Sequence, residues 1–263
     1  MTPEDRILPL EGVENFRDYG GYAVPGGRRI VRGKLWRSAH HGGATDADLA
    51  QIAGLDLAAV VDLRRPTERA NQPSRRPGGF AGRVIDCDAG DQAEAPHVAF
   101  LRETDLSAES ARAFFRDYYR RAPFEPRHLE LFRRYFEALA EGRPVLIHCT
   151  AGKDRTGLLA ALTHNLLGVE DTDILADFEL TNLAARIEAR LDLVTESMTA
   201  SLGRRPSETA VRAFLGVDSS YLVEAFVAIR REAGSVEAYL ADLGVDAAAA
   251  ERLRETWLET APV

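Results

Sequence analysis

The sequence has little cysteine and almost no lysine. Only Cys87 and Cys149 are cysteines, too few for a disulfide framework or a four-thiolate zinc site. Lysine occurs only at Lys34 and Lys153, so arginine supplies nearly all of the positive charge. No apolar run approaches the roughly 18 residues of a membrane span, and the N-terminus lacks the apolar segment of a secretory signal. We therefore expect a cytoplasmic protein with no integral membrane segment; secretion by a route without a cleavable signal stays open.

Positive charge is also in deficit. The chain has 33 Lys and Arg residues against 41 Asp and Glu residues, a net charge of -8. Because nucleic-acid binding needs a basic face, this balance argues against a nucleic-acid partner. The 263 residues are 45% hydrophobic, which is enough to bury a core and argues against disorder. We expect one domain over residues 1–263.

Strand and helix patterns alternate up to about residue 168. Residues 12–38 predict short strands broken by turns, and the apolar runs 57–64 and 144–147 predict buried strands. Thr45 is typical of a helix N-cap, and residues 66–79, with three prolines, predict an exposed loop. Other predicted elements are a strand over 83–87 and helices starting near Ser107 and Pro126 and covering 156–167.

Only helices are predicted beyond residue 168, over about 171–201, 219–232, 235–242 and 246–259. Strand–helix alternation that gives way to helices indicates an α/β protein with a helical C-terminal region. We expect an α/β core over about 1–168 and a helical region over about 169–263.

One segment combines a strand end, a tight loop and a helix start. It reads HCTAGKDRT, from His148 to Thr156, with Cys149 six residues before Arg155. Backbone N–H groups of a short loop that enters a helix N-terminus converge on an anion, and the helix dipole adds to the attraction. The segment therefore predicts a phosphate cradle made by Thr150, Ala151, Gly152, Lys153, Asp154 and Arg155.

The residues around this loop supply the chemistry. Donors that converge on an anion also favour the thiolate of Cys149, which is a nucleophile toward phosphorus. Arg155 can donate two N–H groups to phosphate oxygens and to the transition state. The Thr156 hydroxyl could reach the sulfur and help the thiolate to leave a phosphocysteine. We expect His148 to support the loop by hydrogen bonds rather than bind a metal, because no companion ligand cluster is apparent.

The spacing of Cys149 and Arg155 alone would be a weak signal, because arginine is common here. The preceding histidine and the glycine lower the probability of a chance match to on the order of 10⁻⁴ to 10⁻³. Cys87 lacks the pattern, since Ala93 stands six residues after it. A non-catalytic phosphate-binding module is an alternative, although such a module would usually lose the nucleophile. A sulfurtransferase is disfavoured by the arginine followed by Thr156.

These residues resemble the protein tyrosine phosphatase superfamily, with its H-C-x5-R-[S/T] loop. HCxxGKDRTG is similar in particular to the bacterial tyrosine/lipid phosphatase family. Further segments carry the same resemblance over nearly the whole chain: NFRD at 15–18, WRS at 36–38, DLR at 62–64, LGV at 215–217, YL at 221–222 and YL at 239–240.

The resemblance implies a central, mostly parallel sheet, with Cys149 as the nucleophile and Arg155 as the phosphate clamp. It implies hydrolysis of phosphotyrosine in proteins with release of inorganic phosphate, with no metal or cofactor. Some members of the family also accept phosphoserine, phosphothreonine and phosphoinositides. Broad specificity is therefore expected, and a phosphoinositide phosphatase is the alternative. The resemblance also implies that the helices of 171–201 and 219–259 could cover the site as a lid.

The proton donor for the leaving group stays open, because the chain has no Trp-Pro-Asp segment. Asp154 is the first candidate, since it lies inside the loop. Asp62 is the second, at a strand end on the edge where α/β sheets bind ligands, and Asp88 and Asp91 are the third. The donor must reach the leaving oxygen and be protonated at the working pH. Both Asp154 and Asp62 could instead serve as partners that orient an arginine.

The sequence also predicts the surroundings of several other polar residues. Lys153 predicts a second cation at the mouth of the loop, suited to a multiply phosphorylated inositol. Buried ion pairs, rather than substrate contacts, are expected for Arg17, Arg37 and Arg64. His40 and His41, in a glycine-rich loop, are expected to be solvated.

Overall fold

Two sheets organise the computed structural model of the protein, which describes residues 3–89, 100 and 107–261. The strands are β1 (Arg17–Asp18), β2 (Ala23–Val24), β3 (Arg28–Ile30), β4 (Leu35–Ser38), β5 (Ala59–Asp62), β6 (Arg83–Ile85), β7 (Val145–His148) and β8 (Leu258–Thr260). The larger sheet has the order β1-β4-β7-β5-β6, with β4, β7, β5 and β6 parallel and β1 antiparallel to β4. The smaller sheet, β2-β3-β8, is antiparallel. The predicted α/β class with a mostly parallel central sheet is confirmed.

Helices connect the parallel strands and make up most of the C-terminal part. They are α1 (Asp46–Ala53), α2 (Pro66–Asn71), α3 (Ala108–Arg121), α4 (Pro126–Leu139), α5 (Asp154–Leu167), α6 (Asp171–Glu179), α7 (Thr181–Ala184), α8 (Ile187–Leu202), α9 (Glu208–Leu215), α10 (Ser219–Ala233), α11 (Val236–Asp242) and α12 (Ala247–Trp257). Within the described ranges, none of these helices has the length and apolar character needed to cross a membrane.

The central strands are buried on both faces, which explains their continuous apolar sequences. Val60 and Leu146 point to one face, where they pack in a cluster with Ile52 of α1. Val61 and Ile147, the next residues along β5 and β7, point to the other face and the larger core, as the alternation of side chains along a strand requires. That core also receives the apolar sides of α4 and α5.

The carboxyl ends of three parallel strands lie side by side. Ser38 at the end of β4 is in register with His148 at the end of β7, and His148 is in register with Asp62 at the end of β5. Ligands bind at this edge in open α/β sheets. The loop that follows β7 therefore begins at the position where a site is expected.

Residues 66–71 form a helix where an exposed loop is predicted. Pro66 is the first residue of α2, a position at which its missing N–H costs nothing. The Glu68 carboxylate accepts a hydrogen bond from the Arg65 N–H at 2.7 Å, so it caps the start of the helix. The prolines of this segment therefore start a helix rather than exclude one.

The C-terminal part is not entirely helical. Helix α12 ends at Trp257 and the chain continues as β8, whose Leu258 is in register with Ile30 of β3. The prediction of a helix to about residue 259 is wrong at this end, because pairing with a strand more than 220 residues away decides the conformation. Helix α9 also lies in a stretch, 202–218, for which no helix is predicted.

Candidate active site

The loop between β7 and α5 has the tight shape predicted from its sequence. Cys149 follows β7 directly and is 2% exposed. Gly152 has a φ of +69°, and a Cβ at this position would lie 2.4 Å from backbone atoms of Ser38. Glycine is therefore required both by the left-handed backbone and by the closeness of β4. Helix α5 begins at Asp154, two residues earlier than predicted.

Side chains behind the loop hold its carbonyl groups. Asn15 donates to the Ala151 carbonyl at 3.2 Å and to the Gly152 carbonyl at 2.8 Å. Arg37 also donates to the Gly152 carbonyl, at 3.0 Å. Because the N–H and C=O of a trans peptide point in opposite directions, drawing these carbonyls back turns the following N–H groups toward the front of the loop. This orientation suits an anion-binding cradle.

A buried ion pair network fixes Arg37. Asp177 of α6 lies 2.7 Å from Nη1 of Arg37 and 3.5 Å from Nε of Arg17. Burial alone would raise the pKa of Asp177, but the two arginines outweigh it and hold that pKa well below its usual range. Arg64 pairs in the same way with Asp62 at 2.7 Å. These arginines form buried ion pairs, as the sequence predicts, and Arg37 also supports the loop.

Arg155 is held by a carboxylate that sequence reasoning missed. Its Nη1 and Nη2 donate to the two Glu68 carboxylate oxygens at 2.6 and 2.8 Å. Glu68 also accepts a hydrogen bond from the Thr150 hydroxyl at 2.6 Å. Among the contacts of the described residues, none uses Nε of Arg155. The pair therefore orients the guanidinium and leaves an N–H edge for a phosphate.

A cavity of about 160 Å³ lies in front of the loop. Cys149, Asp154 and Arg155 line its base, together with Thr150, Ala151 and Lys153. Four aromatic side chains from α3 and α9 line it as well: Phe114, Phe115, Tyr118 and Phe214. Its remaining walls come from Arg65, Glu68, Glu125 and His128. Such a cavity joins an anion cradle to an aromatic wall, and a flat apolar group next to a phosphate would fit both.

The candidate acids lie in different surroundings. Asp154 lines the cavity, and its Oδ1 accepts a hydrogen bond from the Tyr119 hydroxyl at 3.1 Å. Asp62 is buried and bonded to Arg64; burial acts to raise its pKa, but His148 and Arg64 hold that pKa well below its usual range. A carboxylate kept ionised outside the cavity does not fit a proton donor, so the geometry favours Asp154 over Asp62.

The third pair of acids fits less well. Asp88 is exposed and paired with Arg69, and it does not line the cavity with Cys149. Asp91 lies outside the described residues. These positions leave Asp154 as the carboxyl group of this set that the structure places beside the predicted nucleophile.

His148 and Thr156 are both fully buried. Burial lowers the pKa of His148 to about 4, so its ring is neutral at pH 7. One ring nitrogen lies 3.3 Å from the Cys149 carbonyl and the other 3.6 Å from Asp62, contacts that a residue supporting the loop would make. The Thr156 hydroxyl has no hydrogen-bond partner within the described part of the chain, Cys149 included. The predicted contact with the sulfur is therefore not made in this structure.

Two other polar residues differ from expectation. His41 is 1% exposed, not solvated, and its Nε2 lies 3.0 Å from the Ser38 hydroxyl. The ring stacks on His148 with centroids 5.3 Å apart, so it belongs to the packing under the loop. Lys153 is 7% exposed, and its ammonium group donates to main-chain carbonyls of α9 rather than standing free at the cavity mouth.

The residues missed by sequence reasoning come from distant segments. Glu68 precedes Arg155 by 87 residues, and Phe214 belongs to a helix that is not predicted. The one local signal for Glu68 was the proline two residues before a glutamate, which is typical of a helix start.

The helices over 171–201 and 219–259 contribute no described residue to the cavity wall; α3 and α9 do so instead. Over the described ranges, no group of three or more His, Cys, Asp or Glu side chains could hold a metal ion.

Comparisons with known proteins agree with this geometry. The model of the tyrosine phosphatase family matches residues 8–259. A Cupriavidus necator protein assigned by name to the tyrosine-protein phosphatases is 34% identical over 92% of this chain and 85% of its own. The triple specificity protein phosphatase PtpB of Mycobacterium tuberculosis is 33% identical over 94% of this chain and 98% of its own.

A solved structure, that of P. aeruginosa TpbA, aligns with 74% of this chain and 95% of its own at 18% identity, with a TM-score of 0.33. The family match and the two relatives cover most of the sequence. The chain therefore belongs to the tyrosine phosphatase family, whose members hydrolyse phosphoric monoesters.

Proposed function

We propose that this protein is a metal-independent protein tyrosine phosphatase that acts through a phosphocysteine intermediate on Cys149. The observation that carries the proposal is one cavity in which Cys149, Arg155 and an aromatic wall meet. The substrate is a phosphotyrosine protein, and inorganic phosphate is the product. The aromatic wall suits the tyrosine ring, and the loop suits the phosphate dianion.

The first step transfers the phosphoryl group to the enzyme. The Cys149 thiolate attacks phosphorus, the S–P bond forms and the P–O bond to the tyrosine breaks. Asp154 gives its proton to the departing phenolate oxygen. Arg155, oriented by Glu68, donates to the phosphate oxygens, where charge is stabilised in the transition state.

The second step releases phosphate. A water molecule attacks the phosphocysteine, Asp154 accepts its proton, and the P–S bond breaks to restore the Cys149 thiolate. Thr156 follows Arg155 in sequence, and its buried hydroxyl has no hydrogen-bond partner among the residues that the structure describes. A rotation of this hydroxyl toward the sulfur would stabilise the departing thiolate.

The free thiols fit a reducing compartment, which supports a cytoplasmic location.

Broad specificity is part of the proposal. The Mycobacterium tuberculosis relative is named a triple specificity protein phosphatase, and an open anion cradle does not by itself exclude alkyl phosphates. Phosphoinositide hydrolysis as the main activity has less support, because the Lys153 ammonium donates to carbonyl groups of α9. A non-catalytic phosphate-binding module would not need Cys149 at the base of the cavity.

The test compares the wild type with Cys149→Ser on p-nitrophenyl phosphate, a phosphotyrosine peptide and phosphoinositides, all with EDTA present. The expected result is EDTA-resistant turnover that favours the phosphotyrosine peptide and disappears in Cys149→Ser. Turnover that needs a metal, or that survives the substitution, would overturn the mechanism. The pH–rate profile of Asp154→Asn should lose its basic limb, and Asp62→Asn should keep it.

A further inference from the structure

The ammonium group of Lys153 is engaged by the end of helix α9. Its Nζ donates to the Phe214 carbonyl at 2.5 Å and to the Gly216 carbonyl at 3.1 Å. A third contact, at 3.7 Å, reaches Oδ2 of Asp154. At 3.7 Å this contact is an ion pair rather than a hydrogen bond, so two of the three N–H donors of the ammonium group bond to the end of α9. Lys153 is 7% exposed, so it offers little charge to a second phosphate group.

The contact has a physical reason on the side of α9. The last carbonyls of a helix have no partner within the helix and carry partial negative charge. Helix α9 ends at Leu215, so the Phe214 and Gly216 carbonyls lie at this terminus. A buried ammonium group that donates to both carbonyls interacts favourably with the negative end of the helix. Burial lowers the pKa of Lys153, while Asp154 acts to raise it.

Aromatic rings enclose the same ammonium group. Nζ lies 4.1 Å from the centroid of the Phe115 ring and 5.5 Å from that of Phe214. These distances are within the range of cation–π attraction. The Phe115 and Phe214 rings are themselves 5.9 Å apart, and both line the cavity. Lys153 therefore connects the phosphate loop to the two helices that supply the aromatic wall.

We propose that Lys153 is a positioning residue that fixes the end of α9 against the phosphate loop, and that it thereby makes a site that accepts both classes prefer aryl to alkyl phosphates. The inference rests on the proposed phosphatase function. With Phe214 held in place, the ring of a phosphotyrosine packs against an ordered aromatic wall. The short chain of phosphoserine gains much less from the same wall. Lys153 acts on the substrate through Phe214 rather than through a second phosphate.

The first measurement needs no turnover. Lys153→Met keeps a side chain of similar length and removes the three donors, and Lys34→Met is the matched control, because Lys34 is exposed and does not line the cavity. Hydrogen exchange of the α9 amides should be faster in Lys153→Met than in Lys34→Met or wild type. Equal exchange in all three proteins would overturn the proposal, even if the protein proved inactive on phosphotyrosine.

The second measurement is the ratio of kcat/KM for a phosphotyrosine peptide to kcat/KM for the matched phosphoserine peptide. Lys153→Met should lower this ratio about tenfold, because part of the energy of the two lost charge-assisted hydrogen bonds orders the wall. Phe214→Ala, which leaves the loop sequence intact, should lower the ratio as well. Because both changes act on the same wall, the double variant should lose little more than either one.

Three outcomes would contradict the proposal. An equal loss on both peptides would mean that Lys153 acts on the shared phosphate. A loss confined to a multiply phosphorylated inositol headgroup would make Lys153 the ligand of a second phosphate. If the losses of the two single variants multiplied in the double variant, Lys153 and Phe214 would act independently of each other. If Lys153→Met does not fold, an unchanged ratio in Phe214→Ala still overturns the selectivity claim. Wild-type protein that turns over neither peptide would instead count against the proposed function.

Discussion

Glu68→Gln tests whether Glu68 orients Arg155, because it leaves the charge of Arg155 unchanged. The Glu68 carboxylate receives two hydrogen bonds from Arg155, at 2.6 and 2.8 Å, and both side chains are 13% exposed. Glutamine keeps the shape of the side chain and one acceptor oxygen. It removes the negative charge and places an N–H₂ group against the guanidinium, which can make no hydrogen bond to it.

The expected size of the effect follows from this geometry. Losing one charge-assisted hydrogen bond in a mostly buried pair should lower the free energy of unfolding by about 2 kcal/mol. The effect on catalysis should be larger. A guanidinium displaced by about 1 Å from the transferring phosphoryl group costs on the order of 100-fold in kcat. The KM should change less, because removing the Glu68 charge also removes repulsion of the substrate dianion.

Steady-state kinetics on p-nitrophenyl phosphate and urea unfolding measure both effects. Glu141→Gln is the matched control, because Glu141 lies 2.6 Å from Arg83 in a pair that is about half exposed and remote from the cavity. It should change neither kcat nor stability by a measurable amount. A wild-type kcat in Glu68→Gln, with stability lost or not, would show that Arg155 is oriented by something else.

Three further changes test the support of the site. Asp177→Asn should lower the free energy of unfolding in urea by about 3–5 kcal/mol, because two buried arginines lose their counter-charge. Asp171→Asn on the same helix should lower it by less than about 1 kcal/mol. Equal effects of the two changes would contradict the buried network. Gly152→Ala should abolish most phosphatase activity, because its Cβ would lie 2.4 Å from backbone atoms of β4. Gly26 also has a positive φ, +83°, but open space around it. Gly26→Ala should therefore lower the free energy of unfolding by about 1 kcal/mol and leave the activity unchanged. Burial lowers the pKa of His148 from 6.5 to about 4, so on acidification the unfolded state binds a proton before the folded state does. The free energy of unfolding should therefore fall as the pH drops below about 6.5, by about 2 kcal/mol at pH 5. An unfolding midpoint that stays constant from pH 7.5 to pH 5 would contradict this.

Local patterns predict the parts of the site that are contiguous in sequence. The apolar run before Cys149, the glycine at 152 and the apolar helix after it specify a strand, a loop and a helix. Each of these signals depends on residues a few positions apart. The strand, the loop and the helix that place Cys149 and Arg155 were therefore predictable without knowledge of tertiary contacts.

Long-range contacts decide the rest. Glu68 lies in a proline-containing segment that predicts a loop, and no residue near it in sequence indicates that it pairs with Arg155. Strand β8 forms because β3 offers an edge, although its own sequence continues a helical pattern. The ammonium group of Lys153 lies against the end of α9 because two main-chain carbonyls there accept its hydrogen bonds and the Phe115 ring lies nearby. Such partners can be named only when the packing is known.

Rapid quenching with acid during turnover of a ³²P-labelled phosphotyrosine peptide tests the central claim most directly. The label should be trapped on the peptide that contains Cys149. No label should be trapped in Cys149→Ser, in which phosphate can still bind but the thiolate is missing. Turnover in wild-type protein with no label on Cys149, when the reaction is quenched in the steady state at saturating peptide, would contradict the account.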